Sequence, residues 1–400
     1  MEKILLASMR KDPRDVDIRF INDTVAKRVI NFHKSFPQYE KTPLVELAHL
    51  SNYLGIKNIF VKDESYRFGL NAFKVLGGSF AIGSYIADRL GMSVEDLPYE
   101  RMISKEIKEK LGEITFATAT DGNHGRGVAW TANQLKQKSK VFMPKGTARE
   151  RLDNIRAENA DADIYEYNYD ECVRLADEYA KTHNGILVQD TSWEGYEDIP
   201  RYIMQGYMTM AYEAYNELKE KGSLPTHIFL QAGVGSLASA VTGFFANVMK
   251  DAIPTIVIVE PHKAACLYQT AKADDGKLHP VTGDMDSIMA GLNCGEPVTV
   301  GWPILKKYAH SFLSVDDCFA AHGMRLLGNP LKNDKKIISG ESGAVTAGVV
   351  SKLMTDDSLK NIKEKIGLDS SSIVLCFSTE GDTDKDNYLK TVWDGKDSSL

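Results

Sequence analysis

The chain has 400 residues, 43% of them hydrophobic, which is enough to bury a large core and to build more than one domain. Its formal charge of −7 is spread over both signs without a long basic run, which argues against a nucleic-acid footprint and against a polybasic membrane patch. The opening MEKILLASMRKDPRDVDIRF returns quickly to charge and no later apolar run approaches membrane-spanning length, so a soluble cytoplasmic protein with a small-molecule partner is expected.

The first distinctive stretch is NAFKVLGGSFA at 71–81. Asn71 reads as an N-cap, which puts Lys74 in the first turn of a helix, where the macrodipole is positive. That field and partial burial both disfavour an ammonium, and a neutral amine can attack a carbonyl to form a Schiff base. The neighbours are apolar or small, leaving little reason for a solvated face.

From residue 114 strand and helix patterns alternate. ITFATAT reads as a strand, DGNHGRGVAWTANQLKQ as a helix and KVFMPKG as the next strand. The cycle repeats through ARERLDNIRAENA, DIYEYN, DECVRLADEYAKTHNG and ILVQD, and again through YIMQGYMTMAYEAYNELKEKG, THIFLQAG, SLASAVTGFFANVMK and TIVIVEP. This order predicts an α/β fold whose parallel sheets are joined by crossover helices. The two runs flank position 195, predicting a discontinuous large domain of 1–86 and 195–400 and a small domain of 87–194. Ligands of such sheets bind at loops leaving the carboxyl ends of strands, which singles out TDGNHG, GVGS and STEGDTD.

Gly233, Gly235 and Ser236 stand between a buried strand and a helix, where backbone N–H groups can hold a phosphate. The loop lacks G-x-x-x-x-G-K-[ST], and no G-x-G-x-x-G follows an early strand, so nucleoside triphosphates and dinucleotides lose support. Five cysteines show no C-x-x-C pair and no clustering with histidine, so no metal is expected; Cys266 and Cys294 are left unassigned. A reactive lysine together with a phosphate cradle points to pyridoxal phosphate.

SYRFGLNAFKVLGG, TDGNHGRGVAW, GVGSL, AGLNCGEP, GESGAVTAG and STEGDTD, in this order from about residue 40 onward, resemble the fold-type II pyridoxal phosphate enzymes, the tryptophan synthase β and threonine dehydratase group. Within that group the chain is most similar to the diaminopropionate ammonia-lyases. The resemblance implies two domains, each with a mostly parallel twisted sheet flanked by helices, a cofactor between them, and a homodimer. It implies that Lys74 carries the cofactor, that Asn123 faces its pyridine O3′, and that Gly233, Val234, Gly235, Ser236 and Leu237 hold its phosphate. Ser378 matches the hydroxyl at the pyridine nitrogen, with Thr379 as the alternative. Thr120, Gly122 and the loop around Asn123 and His124 would receive the substrate carboxylate, His124 mainly by holding the loop.

Two acids set the chain apart from the common dehydratase pattern. Asp121 precedes Gly-Asn-His, where a small neutral residue is usual, and Asp190 ends ILVQD. Each has a plain reading as a helix or turn cap. Two carboxylates beside a phosphate-bearing cofactor are costly unless a cation is expected, and a substrate with a β-ammonium supplies one. The implied reaction is an α,β-elimination of 2,3-diaminopropionate through an aminoacrylate to pyruvate and two ammonia, with room for both enantiomers. The alternatives are a serine or threonine dehydratase, a β-replacement transferase resembling cysteine synthase, and a non-catalytic cofactor-binding protein.

Overall fold

The computed structural model describes residues 3–9, 16–120 and 122–398, and it forms two compact units, Met1–Asp23 with Lys41–Tyr66 and Met210–Leu400, and Thr24–Glu40 with Arg67–Thr209.

The first unit is built on seven strands: β1 (Ile4–Ala7), β2 (Leu44–Glu46), β3 (Asn58–Asp63), β8 and β9 (His227–Gln231 and Thr255–Pro261), β10 (Ser311–Val315) and β11 (Ile373–Ser378), the intervening β4 to β7 belonging to the second unit. Their order is β1-β10-β9-β8-β11-β3-β2. The five central strands are parallel, and only the short edge strands β1 and β2 run antiparallel. Every residue of β8, β10 and β11 is buried, as expected of parallel strands covered on both faces. The ends of β8 and β11 lead into the GVGS and STEGDTD loops, so both emerge from the carboxyl edge of neighbouring strands.

The second unit carries a four-stranded, all-parallel sheet, order β6-β5-β4-β7, made of β4 (Thr115–Ala119), β5 (Lys138–Met143), β6 (Asp161–Ile164) and β7 (Ile186–Leu187). Successive residues of β5 serve opposite faces. Val141 and Met143 pack with Ala129, Leu152 and Ile155, while Phe142 packs with Cys172, Ala176 and Ala180.

This unit takes in more of the chain than the expected 87–194. The reason lies in how the helix Val75–Leu90 is held. A Cβ at Gly127, on the helix Asn123–Gln134, would stand 2.8 Å from Val75 Cα, and a Cβ at Gly206, on the helix Asp198–Glu220, would stand 2.2 Å from the Leu76 carbonyl oxygen. From the helix Asp23–Lys34, His33 sets one ring nitrogen 3.1 Å from Leu76 O and the other 2.7 Å from Thr209 Oγ1. Backbone packs directly on backbone, so the flanking elements share one unit with the Lys74 helix.

Among the described residues no helix is long and apolar enough to cross a membrane, and no group of His, Cys, Asp and Glu is placed to hold a metal ion. All five cysteines are thiols.

Candidate active site

The helix entrance departs from the sequence expectation. Asn71 has a positive φ of 59° and does not cap the helix; Lys74 itself occupies the N-cap position, with Val75 as the first helical residue. Asparagine favours both roles, since its short amide tolerates the left-handed region as well as it caps a helix. Lys74 therefore stands at the mouth of the helix, its backbone pressed by Gly127.

The Lys74 ammonium donates to the Asp190 carboxylate, a partner 116 residues away that the sequence pattern did not pair with it. Opposite charges in contact hold each other in the charged form, against the neutral amine expected from the helix field alone. Burial pushes the Asp190 carboxyl up, but the charge and hydrogen bond of Lys74 prevail and hold it at about 2. Asp190 is thus a buried anion kept ionised by a cation.

Asp190 follows β7, a strand of two residues; Val188 N donates to Ala117 O at 2.8 Å, and side chains fix the rest of its approach. The Tyr196 hydroxyl accepts from Gln189 N at 2.8 Å and donates to Leu187 O at 3.0 Å. The Gln189 carboxamide oxygen accepts from Ala119 N and from the Thr118 hydroxyl, both at 3.0 Å, and its nitrogen donates to the Tyr169 hydroxyl at 2.7 Å. His124 Nε2 lies 2.8 Å from Val188 O, which leaves Nδ1 as the buried lone pair, with no partner among the described residues. Burial above all lowers the His124 pKa, so the ring is neutral.

Thr120 closes β4, next to β7, and caps the following helix. Its hydroxyl oxygen accepts from Gly122 N at 2.9 Å and from Gly125 N at 3.0 Å, so the oxygen expected to meet a substrate carboxylate shapes the loop, and only its hydrogen remains to donate. Gly122 is the N-cap residue and Asn123 the first helical residue, half-buried. Asp121 lies outside the described residues. Arg151 is almost fully buried against this loop, with its Cδ 3.0 Å from where a Cβ of Gly122 would be. Of the expected set, the second unit brings together Lys74, Asp190 and His124, with Thr120, Gly122 and Asn123 on the loop and helix that begin at the end of β4.

In the first unit, Gly235 is the N-cap of the 13-residue helix Ser236–Val248, at φ 102°, and as a glycine brings no side chain to that end. A Cβ at Gly235 would stand 3.1 Å from Leu267 Cδ1, and one at Gly233 would stand 3.2 Å from Cys294 Sγ, so the backbone of Gly233, Val234, Gly235, Ser236 and Leu237 is closely packed as it enters a helix N-terminus. That donor set suits a phosphate dianion. Ser378, fully buried at the end of β11, donates to Ser339 Oγ at 2.8 Å, and Thr379 accepts from Gln231 Nε2 at 2.9 Å. Both are neutral hydroxyls, able to face a pyridine nitrogen without bringing a charge to it. The residues present fit pyridoxal phosphate.

Sequence reasoning passes over Gln189, Tyr196 and Tyr207. The only signal for the first two is their placement around an acid at a strand end, in LVQDTSWEGY; Tyr207 reads as one more apolar residue of a helix.

The family model of the pyridoxal-phosphate dependent enzymes matches residues 36–368. Diaminopropionate ammonia-lyase of Salmonella typhimurium is 52% identical over 95% of this chain and 94% of its own length. The crystal structure of holo diaminopropionate ammonia lyase from Escherichia coli superposes with a TM-score of 0.92 at 44% identity, covering 99% of this chain and 98% of that one. Its complex with an aminoacrylate-PLP azomethine reaction intermediate gives 0.91 over the same coverage. With the lysine–aspartate pair, the phosphate cradle and this similarity over almost its whole length, the chain belongs to the pyridoxal-phosphate dependent enzymes, in the diaminopropionate ammonia-lyase family.

Proposed function

We propose that the chain eliminates ammonia from 2,3-diaminopropionate, consuming one water and giving pyruvate and two ammonia. The observation that carries the substrate is the Lys74–Asp190 pair. Asp190 is buried and ionised, and an ionised carboxylate in such a place requires a cation. A substrate with a β-ammonium provides one when Lys74 is engaged elsewhere. Serine or threonine would bring a hydroxyl and leave the buried charge uncompensated.

Pyridoxal phosphate would be held through Lys74 and Asn123, with its phosphate on residues 233–237 and its ring nitrogen at Ser378 or Thr379. When bound it supplies an electron sink that labilises the α-proton and expels the β-substituent. The protein's own groups do the rest. The Lys74 amine takes the α-proton from its side. Asp190 holds the β-ammonium by charge, keeping the departing nitrogen protonated, and His124 Nδ1 offers a neutral acceptor beside it. Gly122, Asn123 and the Thr120 hydrogen are assigned to the substrate carboxylate. Asp121 is assigned as the second acid, which makes both D and L forms acceptable substrates. The chain is further proposed to act as a cytoplasmic homodimer, with 87–194 at the heart of its smaller domain.

Incubation of the purified protein with 2,3-diaminopropionate, serine and threonine, with pyruvate and ammonia measured, tests the reading. Two ammonia per pyruvate from diaminopropionate, at a rate well above serine, is the expected result. Faster turnover of serine or threonine would replace it with a dehydratase.

A further inference from the structure

Tyr207 lies on the helix Asp198–Glu220, is fully buried, and its hydroxyl has no hydrogen-bond partner among the described residues. Such a group has given up its bonds to water and regained none, which demands a reason. Its surroundings supply one. The Tyr207 ring packs on Phe73 with centroids 4.7 Å apart, and a Cβ at Gly77 would stand 2.7 Å from its Cε1 and 2.9 Å from its Cζ. Residues 73 and 77 are one turn apart, so the phenol lies along the turn that carries Lys74. Lys74 and Asp190 both act electrostatically on Tyr207, and His124, from the helix Asn123–Gln134, faces the same pair.

We propose that Tyr207 is a positioning residue for the Lys74 amine. Once the substrate's β-ammonium has taken over Asp190, the phenol donates a hydrogen bond to the Nζ lone pair and holds Lys74 neutral and aimed at the α-proton. This rests on Lys74 being the reacting amine. While Lys74 donates to Asp190 as an ammonium, its nitrogen has no lone pair to offer, and the Tyr207 hydroxyl correspondingly has no partner among the described residues. A phenol is a better donor than acceptor. Burial, opposed by Lys74 and helped by Asp190, raises the Tyr207 pKa above the ordinary tyrosine value, so the hydrogen to be donated is present across the working range.

Tyr207→Phe removes only the hydroxyl. Because that oxygen has no partner among the described residues, the variant should melt at or above the parental temperature, whereas a purely structural hydroxyl would show a loss of stability and nothing else. The amine itself can be read in full-length protein freed of cofactor, from the pH dependence of Lys74 modification by an amine-directed reagent, followed by peptide mass spectrometry. In an Asp190→Asn background, where the carboxylate no longer claims the lysine, adding Tyr207→Phe should raise the Lys74 pKa by about one unit, the effect of one hydrogen bond made only to the neutral form. In the holoenzyme the acid limb of the kcat profile should move up by a similar amount with KM unchanged. An unchanged or lowered Lys74 titration overturns the proposal whatever the substrate is. If the titration rises but diaminopropionate is not turned over, the proposal stands and the substrate assignment falls.

Discussion

A methyl group on Gly206 would sit 2.2 Å from the Leu76 carbonyl oxygen and 2.8 Å from Gly77 Cα. Both obstacles are backbone, so no side chain can swing aside. Gly206→Ala is expected to cost about 3 kcal/mol of stability, at the upper end for overpacking, and to lower kcat in the folded fraction because the Lys74 turn must shift. Urea unfolding checks the first effect. A parental midpoint would mean that the two helices separate without strain.

Asp190 should matter to acid stability as well as to turnover. Its carboxyl is held at about 2, below the ordinary 3.8, so the folded state keeps it ionised where the unfolded chain takes up a proton. The stabilisation is therefore full above the ordinary value and is lost as the pH falls towards 2. Asp190→Asn lacks this dependence, and the stability difference between parent and variant should shrink across that interval. At neutral pH the variant should bind cofactor yet lose roughly 10²-fold or more in kcat. Unchanged turnover of both D- and L-diaminopropionate would demote Asp190 to a structural acid.

Tyr196→Phe separates support from chemistry. It leaves Gln189 N–H and Leu187 C=O without their shared partner in a buried place, which costs about 1–3 kcal/mol. Since these groups precede Asp190, kcat should fall along with the denaturant midpoint. A fall in stability with parental kcat would show that Asp190 finds its place without the tyrosine.

Gly235→Ala tests the phosphate cradle. Its φ of 102° is strained for any other residue, and the added carbon would meet Leu267 Cδ1 at 3.1 Å. The loop must give, and its amides move with it. Cofactor affinity, followed by absorbance titration of the stripped protein, is expected to weaken by roughly tenfold or more, on the scale of one displaced charge-assisted hydrogen bond. An unaltered affinity would move the phosphate to other donors.

What could be read in advance follows from where side chains face. TIVIVEP carries the unbroken apolar run IVIV because β9 is covered on both sides, and β9 spans Thr255–Pro261 as expected. DIYEYN points to a strand over 163–168, but β6 is Asp161–Ile164, an edge strand that starts on an exposed aspartate, with little apolar signal to mark its start. β3 passes unread because NIFVKD ends in Lys62 and Asp63, which look like surface. Lys62 is in fact fully buried and paired with Glu213 at 2.7 Å, a compensation no local pattern reveals. The site divides the same way. Lys74 and Asp190 are legible as chemically loaded residues in odd company, but their bond spans 116 positions, and Asn71 misleads because one residue type serves two backbone conformations. Thr120, read as facing a ligand, instead turns its oxygen inward to the helix.

The brevity of β7 has a consequence for how this active site can be altered. Two residues of pairing and one further backbone bond give the acid-bearing segment a small share in the cooperativity of its sheet, and a tyrosine, a glutamine and a histidine add side-chain anchorage. The segment is therefore a replaceable attachment on a rigid frame. Edits to those three side chains act on the placement of the Asp190 carboxylate while the β4–β6 scaffold keeps its register, so the acid can be moved without the fold being rebuilt.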